Sequence, residues 1–197
     1  MNKQYKRLIA SRIKENIKVN RALYRSLELI DKICQTILQA YKNGNKVILF
    51  GNGGSAADAQ HIAAELLGKY YLKRKGLPAL SLTTNPSSLT AISNDYSFEM
   101  VFSIQIEAIG KPKDIAWGFS TSGNSKNVIE AFKIAKSLGL ITIGFTGKTG
   151  GKMKDIVDYC LCVPSSDTPR IQETHILVAH IICEIVEREL FDKRHEE

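Results

Sequence analysis

The stretch from Lys46 to Ala56 restricts the fold more than any other part of the chain. Val47-Ile48-Leu49-Phe50 is a compact apolar run that reads as a strand buried on both faces, and it opens directly into Gly51-Asn52-Gly53-Gly54-Ser55-Ala56. Helical character follows from about Ser55 to Leu72. A doubly buried strand needs helices over both faces of its sheet, and parallel neighbours need crossovers to bring the chain back. One segment therefore already selects an α/β layer architecture. The remaining sequence keeps the rhythm. Strands near Ala79–Thr83, Asp114–Phe119, Leu140–Phe145 and Tyr159–Val163 alternate with a short helical pair across Ser87–Ile109 and helices over Ser125–Leu138 and Arg170–Phe191. The pattern predicts one five-stranded parallel sheet flanked by helices, with ligands at the carboxyl ends of its strands.

Before the first strand, Leu8, Ile9, Ile13 and Ile17, then Leu23, Leu27, Ile30, Ile33, Ile37 and Leu38 recur at helical spacing. They predict two consecutive helices that Asn43-Gly44-Asn45 ends, giving a helical lead-in over residues 1–44 and a sheet domain over 45–197. A chain of 197 residues has no room for a second full domain.

Bulk properties exclude several classes. With 44% hydrophobic and 24% charged residues and 5 prolines the chain is neither disordered nor fibrous. Its apolar runs fall far short of the ~20 residues that cross a bilayer. The N-terminal segment is charged throughout and lacks the apolar core of a secretory signal, so the expected location is the cytoplasm, with no membrane partner. The 27 Lys+Arg against 20 Asp+Glu give a net charge of +7. That excess is spread along the chain, denser over Lys3–Arg25 and Lys69–Lys75, and it is not interleaved with aromatics. It fits solvated helix faces and a small anionic substrate, and no nucleic-acid partner is expected. Cys34, Cys160, Cys162 and Cys183 are too few for a disulfide framework. Cys160 and Cys162 share one face of the last strand at a spacing tighter than zinc sites use, and read as packing.

The loops carry the chemistry. Gly51-Asn52-Gly53-Gly54-Ser55-Ala56 satisfies G-x-G-x-x-A, yet the second strand ends Ser81-Leu82-Thr83-Thr84-Asn85 without the carboxylate that a nicotinamide dinucleotide needs. Gly147-Lys148-Thr149 lacks the earlier glycine of a P-loop. More informative is Ser120-Thr121-Ser122-Gly123-Asn124-Ser125, four hydroxyls within six residues at the end of a buried strand and the start of a helix. Backbone N–H groups and the helix dipole favour an anion there, and hydroxyls add neutral donors, so the loop fits a phosphate.

His61 and Glu65 lie four apart on the helix behind the glycine loop. That spacing suits two ligands of one metal, an ion pair beside a substrate, or an exposed salt bridge. The last helix supplies Gln172 and Glu173, then His180 within the apolar stretch Ile176–Ile182. A histidine there needs a partner, and with a carboxylate near a phosphate pocket it suits acid/base chemistry.

Four segments carry a family likeness: VILFGNGGSAADAQHIAAEL over 47–66, TAISNDYSFEMVFS over 90–103, GFSTSGNSKNVIEA over 118–131, and RIQETHILVAH ending at His180. Through them nearly the whole chain resembles the phosphoheptose isomerases of the SIS sugar-isomerase family. The resemblance implies isomerisation of sedoheptulose 7-phosphate to D-glycero-D-manno-heptose 7-phosphate, the entry to heptose biosynthesis for lipopolysaccharide or related glycans. It implies Glu65 as general base and His180 as general acid of an enediol mechanism. It further implies sugar-phosphate contacts from Asn52, Gly53, Gly54, Ser55, Glu65, Asn94, Asp95, Ser120, Thr121, Ser122, Ser125 and Gln172. A zinc ion per subunit on His61, Glu65, Gln172 and His180, and a homotetramer with sites at subunit interfaces, are also implied. Some members carry an acid just before the RIQE segment, where this chain has Pro169 with Asp167 two residues earlier, so no role passes to Asp167.

Gln172 and His180 are eight residues apart, ~12 Å along one regular helix. Either they lean together, Gln172 precedes the helix, or the two come from different chains. A reading of another class is an inert SIS module that senses a sugar phosphate or serves as a scaffold, which has no use for Glu65 and His180.

Overall fold

The computed structural model describes residues 3–192 of the chain. Helix α1 (Lys3–Ala22) buries none of its side chains, and a 3-10 turn over Leu23–Ser26 joins it to α2 (Leu27–Lys42). In α2 the residues Ile30, Ile33, Cys34, Ile37, Leu38 and Tyr41 form a buried stripe, the three-and-four spacing of a helix lying on a core. Asn43 and Gly44, whose φ is +78°, end it.

Five strands follow: β1 (Val47–Gly51), β2 (Ala79–Ser81), β3 (Ile115–Ser120), β4 (Ile141–Thr146) and β5 (Tyr159–Cys162). All pair in parallel, in the order β2-β1-β3-β4-β5. Between them run α3 (Gly54–Leu67), α4 (Pro86–Asp95), α5 (Ser103–Ile109) and α6 (Lys126–Ser137), and α7 (Thr168–Phe191) closes the described chain. Strand side chains alternate between two cores. Val47, Leu49, Trp117, Phe119 and Phe145 point to the face covered by α2, α3 and α7, while Ile48, Phe50 and Ala116 meet α5 and α6. Each fully buried large side chain contributes roughly 1.5–3 kcal/mol, which is why the doubly apolar β1 run sits inside the sheet, between β2 and β3. The order reverses between β1 and β3, so the loops leaving these two strands flank one crevice.

Two boundaries differ from the sequence pattern. Helix α3 stops at Leu67, not near Leu72, because the N–H groups of Tyr70, Tyr71 and Leu72 bond to the Glu187 carboxylate of α7 instead of continuing the helix. Helix α7 begins at Thr168 with Pro169 in its first turn, so Gln172 lies inside it. Cys160 and Cys162 share one face of β5 with their Sγ atoms 3.7 Å apart, and all four cysteines are free. No helix among the described residues is long and apolar enough to cross a membrane.

Candidate active site

The crevice between β1 and β3 is built from two loops tied to each other. Asn52 donates from Nδ2 to Oδ1 of Asn127 at 2.9 Å, and Asn127 returns the bond from its own Nδ2 at 2.8 Å. Asn127 is buried in the first turn of α6, so this amide pair fixes the glycine loop against the hydroxyl loop. In the hydroxyl loop, Ser120 Oγ and Ser125 Oγ are 2.9 Å apart, and Asn124 N–H donates to Ser122 Oγ at 3.1 Å. Gly123 has φ +65°, and a Cβ there would fall 2.0 Å from the Gly150 carbonyl oxygen, so only glycine lets this turn close against the β4 loop. Ser55 is buried at the start of α3, while Gly53 and Gly54 remain exposed. Gln172 reaches this loop: a Cβ at Gly54 would come within 2.6 Å of its Nε2. Asn52, Gly53, Gly54, Ser55, Ser120, Thr121, Ser122, Ser125 and Gln172 thus belong to one rim at the carboxyl edge of the sheet.

A second group lies farther along α3 and α7. His61 Nε2 is 2.9 Å from His180 Nε2 and 3.3 Å from Glu65 Oε1, and one ligand atom from each of the three residues lies within 4.8 Å of the others. Two imidazole nitrogens this close must share one proton between them or turn both lone pairs toward a cation. A tetrahedral zinc with ligands at ~2.0–2.1 Å spaces its donors ~3.3 Å apart, near both observed separations. His180 is half-buried, and burial, then the neighbouring His61, pulls its pKa below the usual imidazole value against the opposing pull of Glu65. Tyr70 stacks on the His180 ring at 5.6 Å and 21°.

The two groups are separated within one chain. From Gly54 to His61 along α3, and from Gln172 to His180 along α7, the rise is ~10–12 Å, and Gly54 to Glu65 is ~16 Å. Gln172 lies inside α7 with its amide at Gly54, so within this chain it neither precedes the helix nor leans toward His180. Asn94 and Asp95 close α4 on the surface, where the Asn94 amide donates to the Asp95 carboxylate at 2.9 Å. Asp167 occupies the N-cap position of α7 without a side-chain capping bond. Sequence reasoning passed over Asn127, Tyr70, Arg74 and Glu187. For Glu187 the missed signal was a carboxylate in step with buried Cys183 and Val186 on an amphipathic helix.

A family model described as the SIS domain matches residues 12–147. The phosphoheptose isomerase of Clostridium acetobutylicum is 52% identical over 195 residues, covering 98% of this chain and all of that relative. The chain belongs to the phosphoheptose isomerase family of SIS-domain proteins. The counterpart from Aneurinibacillus thermoaerophilus is 51% identical over 186 residues, 93% of this chain and 94% of its own length. Among solved structures, the family member from Neisseria gonorrhoeae superposes with a TM-score of 0.88 at 42% identity, covering 93% of this chain and 98% of that one. The one from Francisella tularensis reaches 0.90 at 32% identity, covering 95% of this chain and all of the other. The family's fold, a five-stranded parallel sheet covered by helices, is the one described above.

Proposed function

We propose that this aldose–ketose isomerase converts sedoheptulose 7-phosphate to D-glycero-D-manno-heptose 7-phosphate, with Glu65 as general base and His180 as general acid. The observation that carries the reading is a carboxylate and an imidazole held together on α3 and α7 of a phosphoheptose isomerase fold. In the open-chain ketose, Glu65 takes a proton from C-1 while His180 gives one to O-2, which leaves a neutral enediol. His180 then removes the O-1 proton and Glu65 returns its proton to C-2, giving the aldose and restoring both residues. Burial favours a neutral His180 that carries one ring proton to give. The strand-end loops, with Ser55, Ser120, Thr121, Ser122 and Ser125, hold the phosphate through hydroxyls and helix-start N–H groups. Asn52, Gly53, Gly54, Asn94, Asp95 and Gln172 contact the sugar.

His61, Glu65 and His180 fit zinc by donor type and spacing, with Gln172 of another subunit as the fourth ligand. Bound there, the ion would polarise the substrate oxygens and stabilise negative charge at O-1 and O-2.

A seven-carbon sugar phosphate cannot easily stretch ~16 Å from the loops to Glu65 of the same chain, so the site is assembled between copies. Leu8, Ile9, Ile13 and Ile17 on α1, each about half exposed, and Leu177 and Ile181 on α7 supply apolar surface for neighbours, in keeping with a closed homotetramer. An inert sensing or scaffold module has no use for the paired carboxylate and imidazole.

The deciding experiment is isomerisation in heavy water. Wild-type enzyme is expected to give aldose product with solvent deuterium incorporated at C-2. Glu65→Gln should bind the sugar phosphate yet neither turn over nor exchange, and turnover near the wild-type rate would remove Glu65 from the role.

A further inference from the structure

Residues 68–76, between α3 and β2, have no regular secondary structure yet are held by a dense set of bonds. At their centre is an ion pair sealed from solvent: Arg74 Nε donates to Glu187 Oε1 at 2.7 Å, with side chains 2% and 1% exposed. Glu187 also accepts the backbone N–H groups of Tyr70, Tyr71 and Leu72 at 2.7–2.9 Å. Burial pushes this carboxyl up, but the backbone donors and Arg74 outweigh it and hold it below the usual carboxylate range. The other end of Arg74 grips α3. Its Nη2 donates to the Glu65 carbonyl at 2.9 Å, and its Nη1 to the carbonyls of Leu66, Gly68 and Lys75 at 2.9–3.1 Å. The guanidinium also lies 5.4 Å from the Phe191 ring centroid.

The last carbonyls of a helix have no partners within it, and a cation there is also favoured by the dipole. Arg74 therefore caps the turn of α3 that carries Glu65. Glu187, from α7, fixes the backbone of the same loop, and with it the Tyr70 ring lying on His180. One buried pair thus reaches both groups assigned to proton transfer. Burying two charges is costly unless their polar atoms are partnered, and here each guanidinium nitrogen and each carboxylate oxygen has at least one hydrogen-bond partner, whereas a simple apolar contact could anchor the loop without fixing so many backbone groups.

We propose that residues 68–76 are a clamp for the proton-transfer pair, in which Arg74 and Glu187 set the turn beneath Glu65 and hold Tyr70 against His180. Tyr70, Arg74 and Glu187 are then positioning residues for the isomerisation. The proposal rests on the assignment of Glu65 and His180 above.

Since Glu187→Gln leaves Arg74 buried without its counter-charge and can unfold the chain, the test turns on the half-exposed Tyr70. The full-length enzyme is assayed with sedoheptulose 7-phosphate for kcat and KM separately, and its melting temperature is measured alongside. Tyr70→Leu is expected to lower kcat by at least roughly tenfold with KM little changed, as misplaced reacting groups do. Its melting temperature should stay near that of the wild type. Tyr70→Phe restores the ring and holds kcat within about twofold. Wild-type kcat in Tyr70→Leu overturns the clamp, as does a loss shared equally by Tyr70→Phe or matched by a fall in melting temperature. Glu65→Gln and His180→Gln run in parallel separate the two levels. If both are inactive while Tyr70→Leu is unchanged, the clamp alone fails. If both turn over normally, the assignment beneath it fails and takes the clamp with it.

Discussion

The Gln172 amide lies against Gly54, where a methyl group would come within 2.6 Å of its nitrogen, and the same helix carries His180 two turns farther on. Gly54 has no unusual backbone angle, so alanine can be accommodated at the start of α3, and the atom it meets is the end of a flexible side chain. Gly54→Ala should therefore fold normally but push Gln172 off the loop, raising KM by roughly tenfold, about 1.4 kcal/mol. The check is a double-mutant cycle on KM. With Gln172→Ala already in place, adding Gly54→Ala should change little further. Fully additive effects would show that the two do not act through this contact.

Zinc removal tests the three-donor cluster. Protein purified without added metal or a histidine tag should contain close to one zinc per chain, and chelation should lower both activity and melting temperature, with zinc restoring both. His61→Ala should reduce the bound zinc measured by elemental analysis. An amide is a weak fourth ligand, so moderate affinity is expected, not that of a closed structural site. Full activity and an unchanged melting temperature in demonstrably metal-free enzyme would leave Glu65 and His180 as a plain acid/base pair.

Assembly and activity should fail together. Ile9→Lys with Ile13→Lys places charges on the exposed apolar stripe of α1, which buries nothing within its own chain. If copies cover that stripe, each lost isoleucine contact removes roughly 1.5–3 kcal/mol and each lysine adds a desolvation penalty. Sedimentation is expected to shift from tetramer toward smaller species. Activity should fall in step although Glu65 and His180 are untouched, since the loops proposed to hold the phosphate and the pair proposed to move the proton lie apart along the helices of one chain. A wild-type sedimentation profile would place the interface elsewhere.

The sheet was legible because burial on both faces leaves a mark at every position: Val47–Phe50 reads as an interior strand, and β1 lies between β2 and β3 with every residue buried. The hydroxyl loop was legible for a similar reason, as four hydroxyls before a helix exceed what capping needs. Spacing already set Gln172 ~12 Å from His180 on a regular helix. What it left open was whether Gln172 lies inside that helix and what its amide meets, which is Gly54 at the start of α3. The end of α3 was hidden too, because it is set by Glu187, more than a hundred residues away in sequence, which takes up the N–H groups that would have extended the helix. Local propensity cannot report a long-range acceptor.

His175 should make stability fall in mild acid. It is fully buried on α7, between the rings of Phe119 and Phe145 at 5.9 and 5.6 Å, with Nε2 3.2 Å from the Thr146 carbonyl oxygen and no partner for Nδ1. Burial lowers its pKa to about 4, and the bond to Thr146 only partly opposes this. An unfolded histidine titrates near ~6.5. Between these values the unfolded chain binds the extra proton, so the contribution is fully present above pH ~6.5 and shrinks as pH falls toward 4. From pH 6.5 to 5 the loss is on the order of 2 kcal/mol. The carboxylates held low, among them Glu187 and Asp114, act in the same sense but only below the ordinary carboxylate range. Asp58, which burial raises to about 6 against the pull of His61, takes up its proton in the folded state within this window and opposes the histidine, so it is the difference between wild type and a His175 variant that isolates His175. His180, lowered but only half-buried, adds a smaller slope of the same sign as His175. His175→Gln keeps a donor for Thr146 without a group that titrates here. Thermal or denaturant unfolding of both proteins at pH 7 and pH 5 is the measurement. The variant should lose distinctly less stability than the wild type over that step, and equal losses would mean that His175 is not the buried neutral group described.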